Sequence, residues 1–92
     1  MNHYLKIFPC YFNAIVNGDK LFEIRDNSDR GFQKGDTVIF KEYDKSKNDI
    51  VENHRYTGNE ITVKITYITN VFQKPDYVVF SFKVIEKAKN DG

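Results

Sequence analysis

The stretch ITVKITYITNVFQKPDYVVFSFKVI, Ile61 to Ile85, holds two long β-type runs of a 92-residue chain. In the first, Ile61, Val63, Ile65, Tyr67 and Thr69 alternate with Thr62, Lys64, Thr66 and Ile68, the period of a strand with one face on a core. FQKPD reads as a turn centred near Pro75, and Tyr77 to Ile85 as the last strand. Two such runs joined by a short turn make an antiparallel pair, and the rest of the chain has to complete its sheet.

Upstream, DTVIFKEYD (Asp36 to Asp44) follows a tight KGD turn, with Val38 and Phe40 facing one way and Ile39 and Lys41 the other. HYLKI (His3 to Ile7) is a first strand. Pro9 then opens a short helix in which Phe12, Ile15 and Val16 form one stripe, Cys10 and Tyr11 lie near its edge, and Gly18 marks the stop. A helix of two or three turns does not persist alone, so it is expected to pack over a barrel opening or sheet face. TGNE (Thr57 to Glu60) reads as a turn into the long strand. KSKNDIVENHRY, Lys45 to Tyr56, is polar and aperiodic, the best candidate for a mobile loop. The expected fold is mainly β with some α: a small barrel of about five or six mostly antiparallel strands, since closure removes exposed edges, with one or two short helices. A single domain is expected over 1–86, followed by a polar, fraying tail over 87–92.

Composition bounds the function. With 40% hydrophobic residues, six Tyr and eight Phe, the chain can furnish one aromatic-rich core. The single cysteine, Cys10, has no internal disulfide partner, and no secretory or bilayer-length apolar segment is apparent. A cytoplasmic protein with no membrane association is expected, as a monomer or weak homodimer. The formal net charge of +1 gives no long-range field, so nucleic-acid binding has to rest on local arrangement.

NGDKLFEIRDNSDRGFQKGD, Asn17 to Asp36, concentrates Lys20, Glu23, Arg25, Asp26, Asp29 and Arg30. A solvated hairpin with exposed ion pairs is one reading, each pair contributing roughly 0 to 1 kcal/mol. The other is a fixed constellation, because Glu23 and Arg25 lie inside an apolar strand. There Phe22 and Ile24 are expected to anchor one face, and Glu23 and Arg25 to occupy the other. Glu23 would pair with Lys20 or Arg30, and Arg25 and Arg30 would supply planar donor forks for a phosphate or base edge. In the long loop, Arg55 beside Tyr56 offers phosphate binding next to a stacking ring. Tyr4, Tyr11, Tyr43 and Tyr67 read as core or rim residues. His3 and His54 read as unconnected histidines, no metal-ligand spacing or glycine-rich phosphate loop is present, and no cofactor is expected.

GDKLFEIR followed by GFQKGDTVIFKEYD resembles the ASCH domains of the PUA-like superfamily, on Gly18, Lys20, Glu23 and Arg25, and is most similar to a subgroup of small bacterial and phage proteins of unassigned function. The resemblance runs from Met1 to about Phe82. It implies a PUA-like barrel whose helix closes one end, and a cleft lined by Lys20, Glu23, Arg25 and Arg30 that takes RNA or a nucleotide. Some ASCH proteins are similar to amidohydrolases of acetylated cytidine, with a catalytic lysine, a threonine three residues on and a later glutamate. Lys20 matches the lysine, Glu23 stands at the threonine position, and Glu60 is a stand-in for the later acid. Three functions follow as expectations: an RNA- or nucleotide-binding domain; an enzyme on an N-acylated nucleoside with Lys20 and Glu23 as its catalytic pair; or a protein-interaction module.

Overall fold

The computed structural model describes residues 1–47 and 52–88. Their elements run β1 (Asn2–Ile7), α1 (Pro9–Val16), β2 (Phe22–Asp26), β3 (Thr37–Tyr43), a 3-10 turn (Glu52–Arg55), β4 (Tyr56–Thr69) and β5 (Tyr77–Ala88). The strands form one mainly antiparallel sheet in the order β1-β3-β4-β5-β2, the β1–β3 pair alone being parallel. The sheet curls into a half-barrel. The expected β-rich, barrel-like fold is therefore present, but its edge strands β1 and β2 are joined by side chains, as the site below shows.

The barrel interior is set by period-two alternation. Val38 and Phe40 of β3, Ile61, Val63 and Ile65 of β4, and Phe80 and Phe82 of β5 are buried together with Leu5 and Ile7 of β1. Phe40 meets Phe82 at 5.7 Å between ring centroids, and Phe80 meets Phe32 at 5.1 Å, both tilted, which is a favourable aromatic geometry. As the apolar stripe predicts, α1 buries Phe12 and Ile15, with Pro9 in its first turn and Gly18 turning the chain out at φ +81°.

Three local expectations are corrected. Thr57 to Glu60 is not a turn but the beginning of β4: Gly58 takes φ +90° within the strand, and Thr57 Oγ1 and Asn59 Nδ2 donate to the buried Glu42 at 2.7 and 2.9 Å. At its far end, β4 does not keep a single alternation. A bulge between Ile65 and Tyr67 reverses it, leaving Tyr67 63% exposed and sending Ile68 to the core. The last strand outlasts its predicted end, since Lys87 and Ala88 pair with Ile61 and Glu60, so the tail does not begin at 87. The centre of the expected mobile loop, residues 48–51, lies outside the described residues.

His3 is not unconnected. It is buried, and its Nε2 lies 2.9 Å from Asp36 Oδ2, in a register that sets β1 beside β3. Asp36 also accepts the Gln33 amide at 3.0 Å and the terminal ammonium at 3.4 Å. Burial pushes the Asp36 carboxyl up, but the hydrogen bonds from His3, Gln33 and the chain terminus outweigh it and hold its pKa below the ordinary carboxylate value. A folded-state pKa below the unfolded one means that the native state binds fewer protons across this range. The stabilisation is thus present above the ordinary carboxylate pKa and lost as pH falls through the lowered value. Asp36→Asn is expected to reduce stability at pH 7 by about 1–3 kcal/mol and to flatten the acid limb of the unfolding midpoint against pH. An acid limb identical to wild type would contradict the assignment.

Candidate functional site

The charged run Asn17 to Asp36 divides in two. After Gly18 the chain folds back on the helix end, where the amides of Asp19 and Lys20 donate to the Ala14 carbonyl at 2.9 and 3.1 Å and place Lys20 beside β2. Beyond β2, Asp26 Oδ1 accepts the Ser28 amide at 2.8 Å and Asn27 Oδ1 the Phe32 amide at 2.7 Å. These side-chain turns lead from Asp26, at the exposed end of β2, into an exposed loop that holds Asp29 and Arg30. The Ser28 amide and hydroxyl hold the Asp26 carboxyl below its usual pKa.

Phe22 and Ile24 lie on the face of β2 opposite Glu23, as expected, but that face is the outer one. Glu23 is 9% exposed and opposes the buried Phe80, whereas Phe22 and Ile24 are 47% and 49% exposed. The apolar residues do not anchor the strand. The inward face is the charged one because its charges satisfy each other: Lys20 Nζ donates to Glu23 Oε1 at 2.5 Å and to the Phe22 carbonyl at 2.7 Å. Arg25 sets Nε at 2.8 Å and Nη2 at 2.7 Å from Glu23 Oε2. Nη2 also reaches the Lys6 carbonyl of β1 at 3.0 Å. Thus one guanidinium spans the seam between the two edge strands of the half-barrel.

This seam opens into a cleft of about 800 Å³, within the range of roughly 300–1,000 Å³ usual for small-molecule sites. Among the described residues that line it, Lys6, Lys20, Arg25 and Lys45 are basic and Glu23 carries the one carboxylate. Aromatic rings hold the ammonium groups: Lys6 Nζ lies 4.5 Å from the Tyr43 ring centroid, Lys45 Nζ 4.7 Å from Phe8, and Lys20 Nζ 5.1 Å from Phe22 and 5.7 Å from Tyr11. Both Glu23 oxygens are engaged. By contrast, the third N–H of Lys20 and the Nη1 group of Arg25 have no hydrogen bond among the described residues.

Of the residues singled out from the sequence, Lys20, Glu23 and Arg25 converge. Arg30 does not join them; its Nη1 reaches the Tyr4 carbonyl at 3.5 Å, farther along β1, and it is absent from the cleft wall. Arg55 and Tyr56 do not line the cleft either. Arg55 Nη1 lies 3.5 Å from the Tyr43 hydroxyl, and the Tyr56 ring meets Tyr43 edge-on at 5.0 Å, so both support a residue that does. Glu60 is remote from Lys20, paired with Lys41 at 3.8 Å on the outer face. Sequence reading missed Lys6 and Phe8, whose place at the seam follows from the curl of the sheet, and it placed Lys45 only in the long loop. Among the described residues no helix is long and apolar enough to cross a membrane.

Arg25→Lys retains the charge but cannot bridge a carboxylate and a carbonyl with one planar fork. It is expected to lower the unfolding free energy by about 1–2 kcal/mol, with an amide-exchange increase concentrated in β1 and β2; unchanged exchange in both edge strands would show that the bridge does not hold the seam.

None of the curated proteins compared with this chain gives a significant match. The model of the family described as "Domain of unknown function (DUF3850)" matches residues 2–82, nearly the whole chain. The chain therefore belongs to the DUF3850 family.

Proposed function

We propose that the seam cleft binds RNA or a nucleotide through a phosphate group, with the adjoining rings contacting the base or sugar. The observation that carries this reading is the clamped triad. Glu23 fixes Lys20 and Arg25 while leaving each with an N–H donor to give, in a cleft that both of them line. Such preorganised donors suit an anion that brings no proton of its own. Phe8, Tyr11, Phe22 and Tyr43 provide apolar faces for the uncharged part of the ligand. The resemblance to ASCH domains of the PUA-like superfamily agrees with this reading. In it, Glu23 is a positioning residue, and Lys20 and Arg25 make the contacts.

Hydrolysis of an N-acylated nucleoside is less well supported. Lys20 donates two hydrogen bonds as an ammonium, and a doubly engaged carboxylate occupies the place of the hydroxyl that the hydrolase-like ASCH proteins have.

Titration with nucleoside monophosphates, followed by backbone amide shifts, is expected to move resonances of residues 6–8, 20–25 and 43–45, with affinity falling as salt rises. Lys20→Ala and Arg25→Ala should each weaken binding by about tenfold or more. Absence of salt-sensitive shifts in these segments would contradict the proposal. On an N-acyl cytidine panel, wild type and Lys20→Ala are expected to be equally inert, and a lysine-dependent turnover would favour the enzyme reading instead.

A further inference from the structure

The outward apolar face of β2 and the bulge in β4 build a second surface on the outside of the half-barrel. Strand register puts Phe22, Ser81 and Tyr67 in one row across β2, β5 and β4, and Ile24, Val79 and Thr69 in the next. Residues that are paired across strands share a face, so Phe22 and Tyr67 stand on either side of Ser81, about 10 Å apart at two strand spacings. Both are exposed, as are Ile24 and, farther along, Tyr77. The opposite end of this face carries two lysines, with Glu86 opposite Thr62 in the row beyond them. Lys64 and Lys83 are direct cross-strand partners, a like-charge pairing that opposes sheet formation. With Lys34, Gly35, Ile65 and Thr66 they border a shallow depression of about 400 Å³ that has no acidic residue in its wall. Thr66, between Lys64 and Tyr67, sets its Oγ1 3.1 Å from the Oγ of Ser81 in the row of the rings. The acidic Asp26 and Asp76 are at the other end, beyond the rings, around Tyr77.

We infer that this outer face is a track for single-stranded nucleic acid, with Phe22 and Tyr67 stacking bases and Lys34, Lys64 and Lys83 holding backbone phosphates. The inference rests on the nucleotide reading of the cleft and extends it from a single nucleotide to a strand. Three observations favour this occupant over an apolar protein partner. Exposed rings on a sheet face stack bases whatever the sequence. A cross-strand lysine pair is relieved by a polyanion and not by an apolar surface. The track is also continuous with the cleft, because Phe22 and Ile24 belong to both.

The test compares a mixed-sequence RNA octamer with nucleoside monophosphates by fluorescence anisotropy and calorimetry at several salt concentrations, on wild type, Tyr67→Ala, Tyr67→Phe and Lys64→Ala/Lys83→Ala. The altered side chains are exposed, and thermal unfolding verifies that each variant is folded. The octamer is expected to bind at least tenfold more tightly than a monophosphate. Tyr67→Ala should lose about tenfold of octamer affinity, and Tyr67→Phe should retain it. The double lysine variant should reduce the salt slope by about 1.4, or 0.7 per phosphate contact. Monophosphate affinity is expected to be unchanged in all three. An octamer that binds no better than a monophosphate, or binds the variants as it binds wild type, overturns the track while leaving the cleft intact. Self-association that Tyr67→Ala abolishes, without octamer binding, overturns it in favour of a second copy of this chain. Failure of both ligands to bind wild type overturns the cleft reading and this inference together.

Discussion

The Arg25 guanidinium joins the two edge strands of a sheet that, among the described residues, has no backbone pairing to close it. Its fork rests on Glu23 within β2 and reaches the Lys6 carbonyl on β1. A carboxylate as buried as Glu23 is unfavourable unless charge and hydrogen bonds compensate it. Lys20 on one oxygen and Arg25 on the other supply both. The same contacts that make the charge tolerable thereby hold the seam at a width that leaves a cleft. A hydrogen-bonded seam between β1 and β2 would have removed the exposed edges and the cleft with them.

Placing the charged face of β2 inward has a second consequence. Phe22 and Ile24 are displaced to the outer surface, where the β4 bulge also sends Tyr67. In a small domain, exposed rings give up the burial that stabilises a core. Here Phe12, Phe32, Phe40, Phe80 and Phe82 supply that burial. The rings on the outside thus adjoin the constellation of Lys20, Glu23 and Arg25.

Much of the fold was legible in the sequence. The alternation in Ile61 to Ile65 and in Val38 to Phe40, the helix between Pro9 and Gly18, and the KGD turn all correspond to local physics that acts within a few residues. The convergence of Lys20, Glu23 and Arg25 was also readable, because positions 23 and 25 share a strand face and Lys20 adjoins them. What was not legible depends on contacts between distant segments. Hydrophobicity alone assigns Phe22 and Ile24 to the core, whereas the pairing of β2 with β5 sets Glu23 opposite the buried Phe80 and turns it inward. The Tyr67 flip requires an unpaired residue in β4, and nothing in the period-two pattern marks it. His3 finds Asp36 only because β1 lies parallel to β3. Arg30 carries the same chemistry as Arg25, but the side-chain turns at Asp26 and Asn27 direct it to the loop.

In the proposed function, Glu23 holds Lys20 and Arg25 as a preformed receptor for a phosphate. A crystal structure of the protein grown with a nucleoside monophosphate tests it most directly. A phosphate is expected within hydrogen-bonding distance of Lys20 Nζ and Arg25 Nη1, with the Glu23 contacts unbroken and the base against one of the cleft rings. A phosphate bound elsewhere, or one that displaces Glu23 from Arg25 and opens the seam, would contradict it.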